Sequence, residues 1–170
     1  MKENVRKEMM EYYKGDPRRI QHFIKVHAFA QMIGSGEHLD LDTQEILEIA
    51  AYVHDIGIKI SEEKYGSCNG KLQEQEGPAL TRDLLEKVGA SESIIARVCY
   101  LVGHHHTYTN IDGLDYQILV EADFLVNLYE DNTSPEGIES AYQKIFKTNT
   151  GRELCELLYL KPLDSFTPLN

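Results

Sequence analysis

The chain has 170 residues, 42% of them hydrophobic and 26% charged, which suits one folded domain and excludes wholesale disorder. Lysine plus arginine total 17 against 28 acids, giving a net charge of −11 and a pI near 5.0. That field repels a phosphate backbone and excludes a general role in binding nucleic-acid polymers. No apolar run approaches the roughly 18 residues needed to cross a bilayer, and Met1-Lys2-Glu3-Asn4 lacks the apolar stretch of a signal peptide. Cys68, Cys99 and Cys155 are odd in number and scattered, which predicts reduced thiols and a cytoplasmic location.

In chain order the periodicity is helical nearly everywhere, and residues 1–170 read as a single all-α domain. A first helix is predicted from Lys2 to Tyr13. Asp16-Pro17 reads as an N-cap followed by proline at the first helical position, opening a helix to about Ile33. Asp42 with Glu45 resembles a capping box, and the helix it opens should end near Gly57 as a C-cap. Lys59 to Gly70 is polar and reads as irregular, with Pro78 starting the next helix and Gly89 stopping it. Ser91 caps a helix through Ile94, Val98, Leu101 and Val102. Asp115 to Asp131 is apolar on nearly all sides at its centre, as expected for the middle of a bundle. Ser134-Pro135 restarts the chain into terminal helices up to about Leu160.

Several polar residues fall on apolar faces. His22 lies roughly 40° from the centre of the stripe formed by Phe23, Val26, Phe29, Ala30 and Ile33, whereas His27 lies roughly 100° away. His22 therefore points inward, either as a satisfied core histidine or as a metal ligand. His54-Asp55 sits where a helix runs out, so both side chains can reach one ion. Asp123 is embedded in Ile118–Val126 and must be paired, protonated or bound to a cation, and Glu121 competes for the same reading. His105 continues the Ile94, Val98, Leu101 face, placing one member of His104-His105-His106 toward the core. Imidazoles of this kind suit Zn, Fe, Mn or Ni. Glu76 could bring a carboxylate to the same place.

The order His22, His54-Asp55 within "AAYVHDIG" and Asp123 within "VEADFL" resembles the H…HD…D signature of the HD-domain metal-dependent phosphohydrolases. "RRIQHFIKV" is similar to that family's first ligand-bearing helix, and the resemblance covers roughly residues 16–130. It implies a compact bundle of about 6–8 helices around a buried metal centre, with His22, His54, Asp55 and Asp123 as ligands. The choice of Asp123 over Glu121 rests on it. Many members hold a second metal through extra histidines. Here the corresponding positions look to be Glu76, a departure, and His105 with His106 in "GHHHTY". The Gly-Tyr-Pro triplet of the branch that cleaves a cyclic dinucleotide is absent from Thr107–Leu114. Lysine often follows HDIG directly in the family, whereas this chain has Ile58-Lys59.

The implied cofactor is one or two divalent ions, Fe, Mn, Ni, Co or Zn, with Mg also compatible. Ions so held generate hydroxide near neutral pH and neutralise a phosphoryl group, with Asp55 and His54 at the catalytic centre. The expected partner is a small phosphorylated substrate, a nucleotide or other metabolite, and a homo-oligomer is compatible with the sequence. Arg18, Arg19, Lys59, Lys64 and Lys71 are the candidate phosphate-contacting cations, with Tyr65 and Tyr108 available to stack on a base. The alternatives are a di-iron oxygenase on the same bundle and a non-catalytic metal-binding interaction module.

Overall fold

The structure, a computed structural model, describes Met1–Lys161; the remaining residues of the sequence-defined domain, 162–170, lie outside it. The described residues form α1 (Lys2–Tyr12), α2 (Pro17–Gly36), α3 (Leu41–Val53), α4 (Ile58–Tyr65), α5 (Gly70–Lys87), α6 (Glu92–Val102), α7 (Leu114–Glu130), α8 (Pro135–Lys144) and α9 (Asn149–Cys155), with a π-helical turn at Glu156–Leu160. The expected all-α bundle is what they form, without a strand among them. None of these helices is long and apolar enough to cross a membrane.

The helix starts follow side-chain caps. Asp16 accepts from the Arg19 amide with Pro17 in the first turn, and Ser134 accepts from the Gly137 amide. At α3 the cap is Asp40, not Asp42. Asp40 is extended, and its carboxylate accepts from the Thr43 amide at 2.9 Å and the Thr43 hydroxyl at 2.7 Å. Asp42 then falls inside the first turn, where it favours the helix dipole instead.

Three further expectations change between residues 53 and 89. The helix carrying the HD pair ends at Val53, and Gly57 precedes α4 in an ordinary right-handed conformation. The Asp55 carbonyl accepts from the Ile58 amide at 3.1 Å, and the Tyr13 hydroxyl is shared between the Asp55 and Ile56 carbonyls at 3.1 Å each. The polar stretch after them is helical through Tyr65, stopped by Gly66 at φ +65°. Pro78 lies inside α5, which Asn69 caps eight residues upstream of Gly77 through the Leu72 amide. Gly77 permits close approach of helices: a Cβ there would meet Val102 Cγ1 at 2.6 Å.

α2 packs across both α3 and α7, and α3 also contacts α1 and α6. Leu47–Val53 of α3 and Ile118–Asp123 of α7 are buried without interruption, so polar residues in these segments meet only protein. Glu121 is one of them, and it serves the fold. Its carboxylate accepts from the Lys147 amide (2.7 Å), the Thr148 amide (3.0 Å), Gln117 Nε2 (2.7 Å) and the Thr148 hydroxyl. It thereby fastens the α8–α9 connection to α7. A Cβ on Gly151 would meet Glu121 Oε2 at 1.9 Å, so this anchor requires glycine there. Replacing Glu121 by leucine orphans the buried Thr148 amide and the partly buried Lys147 amide, which should cost about 3 kcal/mol. For a domain of this size that is a fall of roughly 6–12 °C in melting temperature, measurable by circular dichroism. Gly151→Ala should destabilise through the same contact, while Glu139→Ala, exposed on α8, should change little.

Candidate metal centre

Two clusters of potential ligand atoms adjoin, His22-His54-Asp123 and Asp55-His105-His106, and the second oxygen of Asp55 reaches toward the first. In the first, His22 Nε2 lies 3.2 Å from His54 Nε2, 3.3 Å from Asp123 Oδ1 and 3.6 Å from Asp55 Oδ2. His54 Nε2 is 3.5 Å from Asp123 Oδ1 and 3.6 Å from Asp55 Oδ2. In the second, Asp55 Oδ1 lies 2.9 Å from His105 Nε2 and 3.8 Å from His106 Nε2. His22, His54, Asp55, Asp123 and His105 are all buried, with His106 partly so.

The outer nitrogens of three rings decide what the inner ones offer. His54 Nδ1 donates to the Ala51 carbonyl at 3.0 Å, and His105 Nδ1 donates to the Val102 carbonyl at 2.8 Å. His22 Nδ1 donates to Glu130 Oε2 at 3.0 Å, and Lys25 holds that carboxylate from its other oxygen. In the neutral rings the His22 and His54 Nε2 atoms then present lone pairs toward each other and toward Asp123 and Asp55, while His105 Nε2 presents its lone pair toward Asp55. Such a set lacks donors of its own and is satisfied by protons or by a cation. Ligand atoms 2.0–2.2 Å from a common ion are themselves roughly 3.0–3.6 Å apart, which matches the first cluster. The donor set therefore fits a divalent ion.

Without an ion, protons take that place. Burial opposes charge on His22, but Asp123, Asp55 and Glu130 outweigh it and raise the imidazole to about 9. Burial likewise resists ionisation of Asp123 and Asp55, yet the surrounding histidines hold both carboxyls below the usual carboxylate range. Burial keeps His105 below its ordinary value despite Asp55. His106, less enclosed, is raised by Asp55 against the burial effect.

The other sequence candidates separate clearly. Glu76 is outside both clusters, with its carboxylate accepting from Lys64 Nζ at 2.6 Å and Tyr65 Oη at 2.8 Å. The placement of the α5 start accounts for the misreading, since it rotates Glu76 toward α4. Gln73 occupies the vicinity instead. Its Nε2 donates to the Cys68 carbonyl at 2.7 Å, which turns Oε1 to 2.9 Å from His106 Nε2. His104 faces away from the centre and stacks on Tyr100 at 4.2 Å. His27 stacks on Tyr52 and pairs with Glu48, away from the centre. Arg19 lines the adjoining cavity but is paired with Asp16 and Glu62. Lys64 is spent on Glu76, and Lys59 lies over the Tyr12 ring at 5.1 Å. Gln73 and Glu130 were not legible as site residues by type. Glu130 had one signal, because seven residues after Asp123 it shares a helix face with it.

A cavity of ≈ 460 Å³ opens beside the first cluster, touching it through His22 and Asp55 and bordered by Arg18, Arg19, Glu62 and Asn127. It is of ordinary size for a small-molecule site.

A family model for the HD domain matches residues 19–143. The chain belongs to the HD-domain family. Among solved structures, it is similar to a protein from an uncultured Thermotogales bacterium described as a predicted HD superfamily hydrolase. The two share 28% identity with a TM-score of 0.65, over 92% of this chain and 84% of that one. Comparison with curated proteins gave no significant match. Membership accounts for the coincidence of His22, His54-Asp55 and Asp123 at one point in the bundle.

Loading the centre with Zn or Mn near neutral pH should expel about one proton from His22, because its metal-free pKa lies near 9. Calorimetry in buffers of different ionisation enthalpy measures that release. The raised value also stabilises the metal-free protein fully below 6.5, and this contribution is lost as pH rises through about 9. Its melting temperature should fall across that window, less steeply once metal is bound. His22→Ala should lose the ion, and His27→Ala should retain it in elemental analysis.

Proposed function

We propose that this HD-domain protein is a metal-dependent phosphohydrolase that cleaves a phosphate ester of a nucleotide or other small phosphorylated metabolite. The observation that carries the reading is the convergence of Nε2 lone pairs and carboxylates, with Asp55 facing both clusters, at the wall of an arginine-bordered cavity. The hydrolase description of the similar Thermotogales protein supports it as an analogy. The expected substrate is small, in keeping with the cavity and with an acidic surface that disfavours nucleic-acid polymers.

Divalent ions bound here would supply an acidified water and neutralise phosphoryl oxygens. The chain's own residues prepare that chemistry. Asp55 offers one oxygen to each cluster, and the backbone and Glu130 fix the imidazole tautomers before any ligand arrives. Asn127 holds Asp123 Oδ1 at 2.9 Å, limiting its rotation. Arg18, exposed in the first turn of α2, is placed to meet an anion in the cavity.

The test is elemental analysis followed by phosphate-ester hydrolysis with Mn, Fe, Co, Ni, Zn and Mg supplied in turn. Phosphate release without oxygen uptake is the expected result. Oxygen consumption with an iron-loaded protein and no phosphate release would replace the reading with an oxygenase. Asp55→Ala should abolish hydrolysis and reduce bound metal. With transition metal in excess, His105→Ala or Gln73→Leu should lower the metal-to-protein ratio from about two to about one. Glu76→Ala should leave that ratio unchanged, since its carboxylate is engaged by Lys64 and Tyr65.

A further inference from the structure

The walls of the cavity beside the metal centre differ in charge. One wall is the first turn of α2, where the helix dipole is positive and Arg18 and Arg19 project. Another is the last turn of α7, where the dipole is negative and Asn127, Glu130 and Asp131 line the space. No basic residue occupies that last turn.

Most of these charges are already committed. Arg19 donates to Asp16 at 2.8 Å and to Glu62 at 2.6 Å, so it is neutralised within the wall. Glu130 is held by Lys25 and His22. Among the described residues, Arg18 and Asp131 make no ion pair, which leaves one cation and one carboxylate for a ligand. Asp131 stands at the end of α7, where a carboxylate opposes the dipole of its own helix.

We infer that this cleft selects phosphate monoesters whose remaining part is uncharged or cationic, and disfavours polyphosphates and esters carrying a carboxylate. The inference rests on the phosphohydrolase reading and goes beyond it to the substrate class. A monoester can set its one anionic group against the metal centre and Arg18. A second anionic group in the same cavity then meets Asp131 and the carbonyl end of α7, with Arg19 unable to help because Asp16 and Glu62 already hold it. A hydroxyl or ammonium group meets acceptors there instead.

Two non-hydrolysable ligands of equal reach make the test: 3-aminopropylphosphonate and 3-phosphonopropionate. Their phosphonate heads are alike, and their tails carry opposite charges. Binding to the metal-loaded protein is measured by calorimetry at low ionic strength, with the metal-free protein as control. The ammonium compound should bind about tenfold tighter, the size expected for one charge reversal close to an exposed carboxylate at low ionic strength. Asp131→Lys should shrink or invert that preference while leaving metal content unchanged, and Asp131→Asn should produce an intermediate shift. Equal binding of the two compounds, or a preference untouched in both variants, would overturn the inference even where phosphate esters are hydrolysed. If neither compound binds and no ester is cleaved with any metal, the phosphohydrolase reading falls and takes this inference with it.

Discussion

The structure is organised around a set of groups that repel one another unless something positive lies between them. His22 and His54 present their inner nitrogens to each other and to Asp123 and Asp55, and His105 presents its own to the other oxygen of Asp55, all of them buried. Outside a folded protein these groups would separate and hydrate. Here the burial of Val26, Ile49, Val53, Ile118, Leu119 and their neighbours forces them together, because the same helices carry both the core and the ligands. The apolar contacts bear the free-energy cost of assembling the centre, and an ion or protons recover part of it.

That arrangement depends on where α3 stops. His54 sits at the end of the helix and Asp55 just beyond it, so their side chains turn toward one centre while His54 keeps a backbone acceptor for its outer nitrogen. Tyr13, a residue of the α1–α2 connection far away in sequence, shares its hydroxyl between the two carbonyls at that turn, Asp55 and Ile56. Tyr13 also packs against Phe23, which packs against the His54 ring. Support for the centre thus extends to the N-terminal helix, although that helix supplies no candidate ligand.

The features legible in the sequence were those with a local physical cause. Apolar periodicity revealed the helices, and the stripe on α2 separated His22 from His27 without any knowledge of partners. The His105 face and the resemblance of the HD pair together pointed to residues that the fold brings into two adjoining clusters. The misread segment ran from Gly57 to Pro78, where glycine and proline suggested ends. In the fold, Gly77 instead lets α5 approach α6, a tertiary requirement invisible to a reading of neighbours. Losing the start of α5 also put Glu76 in the place that Gln73 holds. A neutral amide carries no metal-ligand signal by type, and only its bond to the Cys68 carbonyl fixes which atom faces His106.

Glu121 and Asp123 show what composition could not separate. Both are carboxylates in one apolar run, two residues apart and nearly fully buried. Two residues along a helix is a rotation of about 200°, so they must face opposite sides of α7. One side meets α2 and α3, where His22 and His54 wait and a cation is wanted. The other meets the α8–α9 connection, whose free amides are themselves donors. A buried carboxylate can be satisfied by a cation or by several N–H groups, and each face of α7 supplies one of these solutions. The helix therefore carries the candidate metal ligand and the anchor of the C-terminal helices back to back. Rotating it to improve one contact would damage the other, so its register is set from both sides.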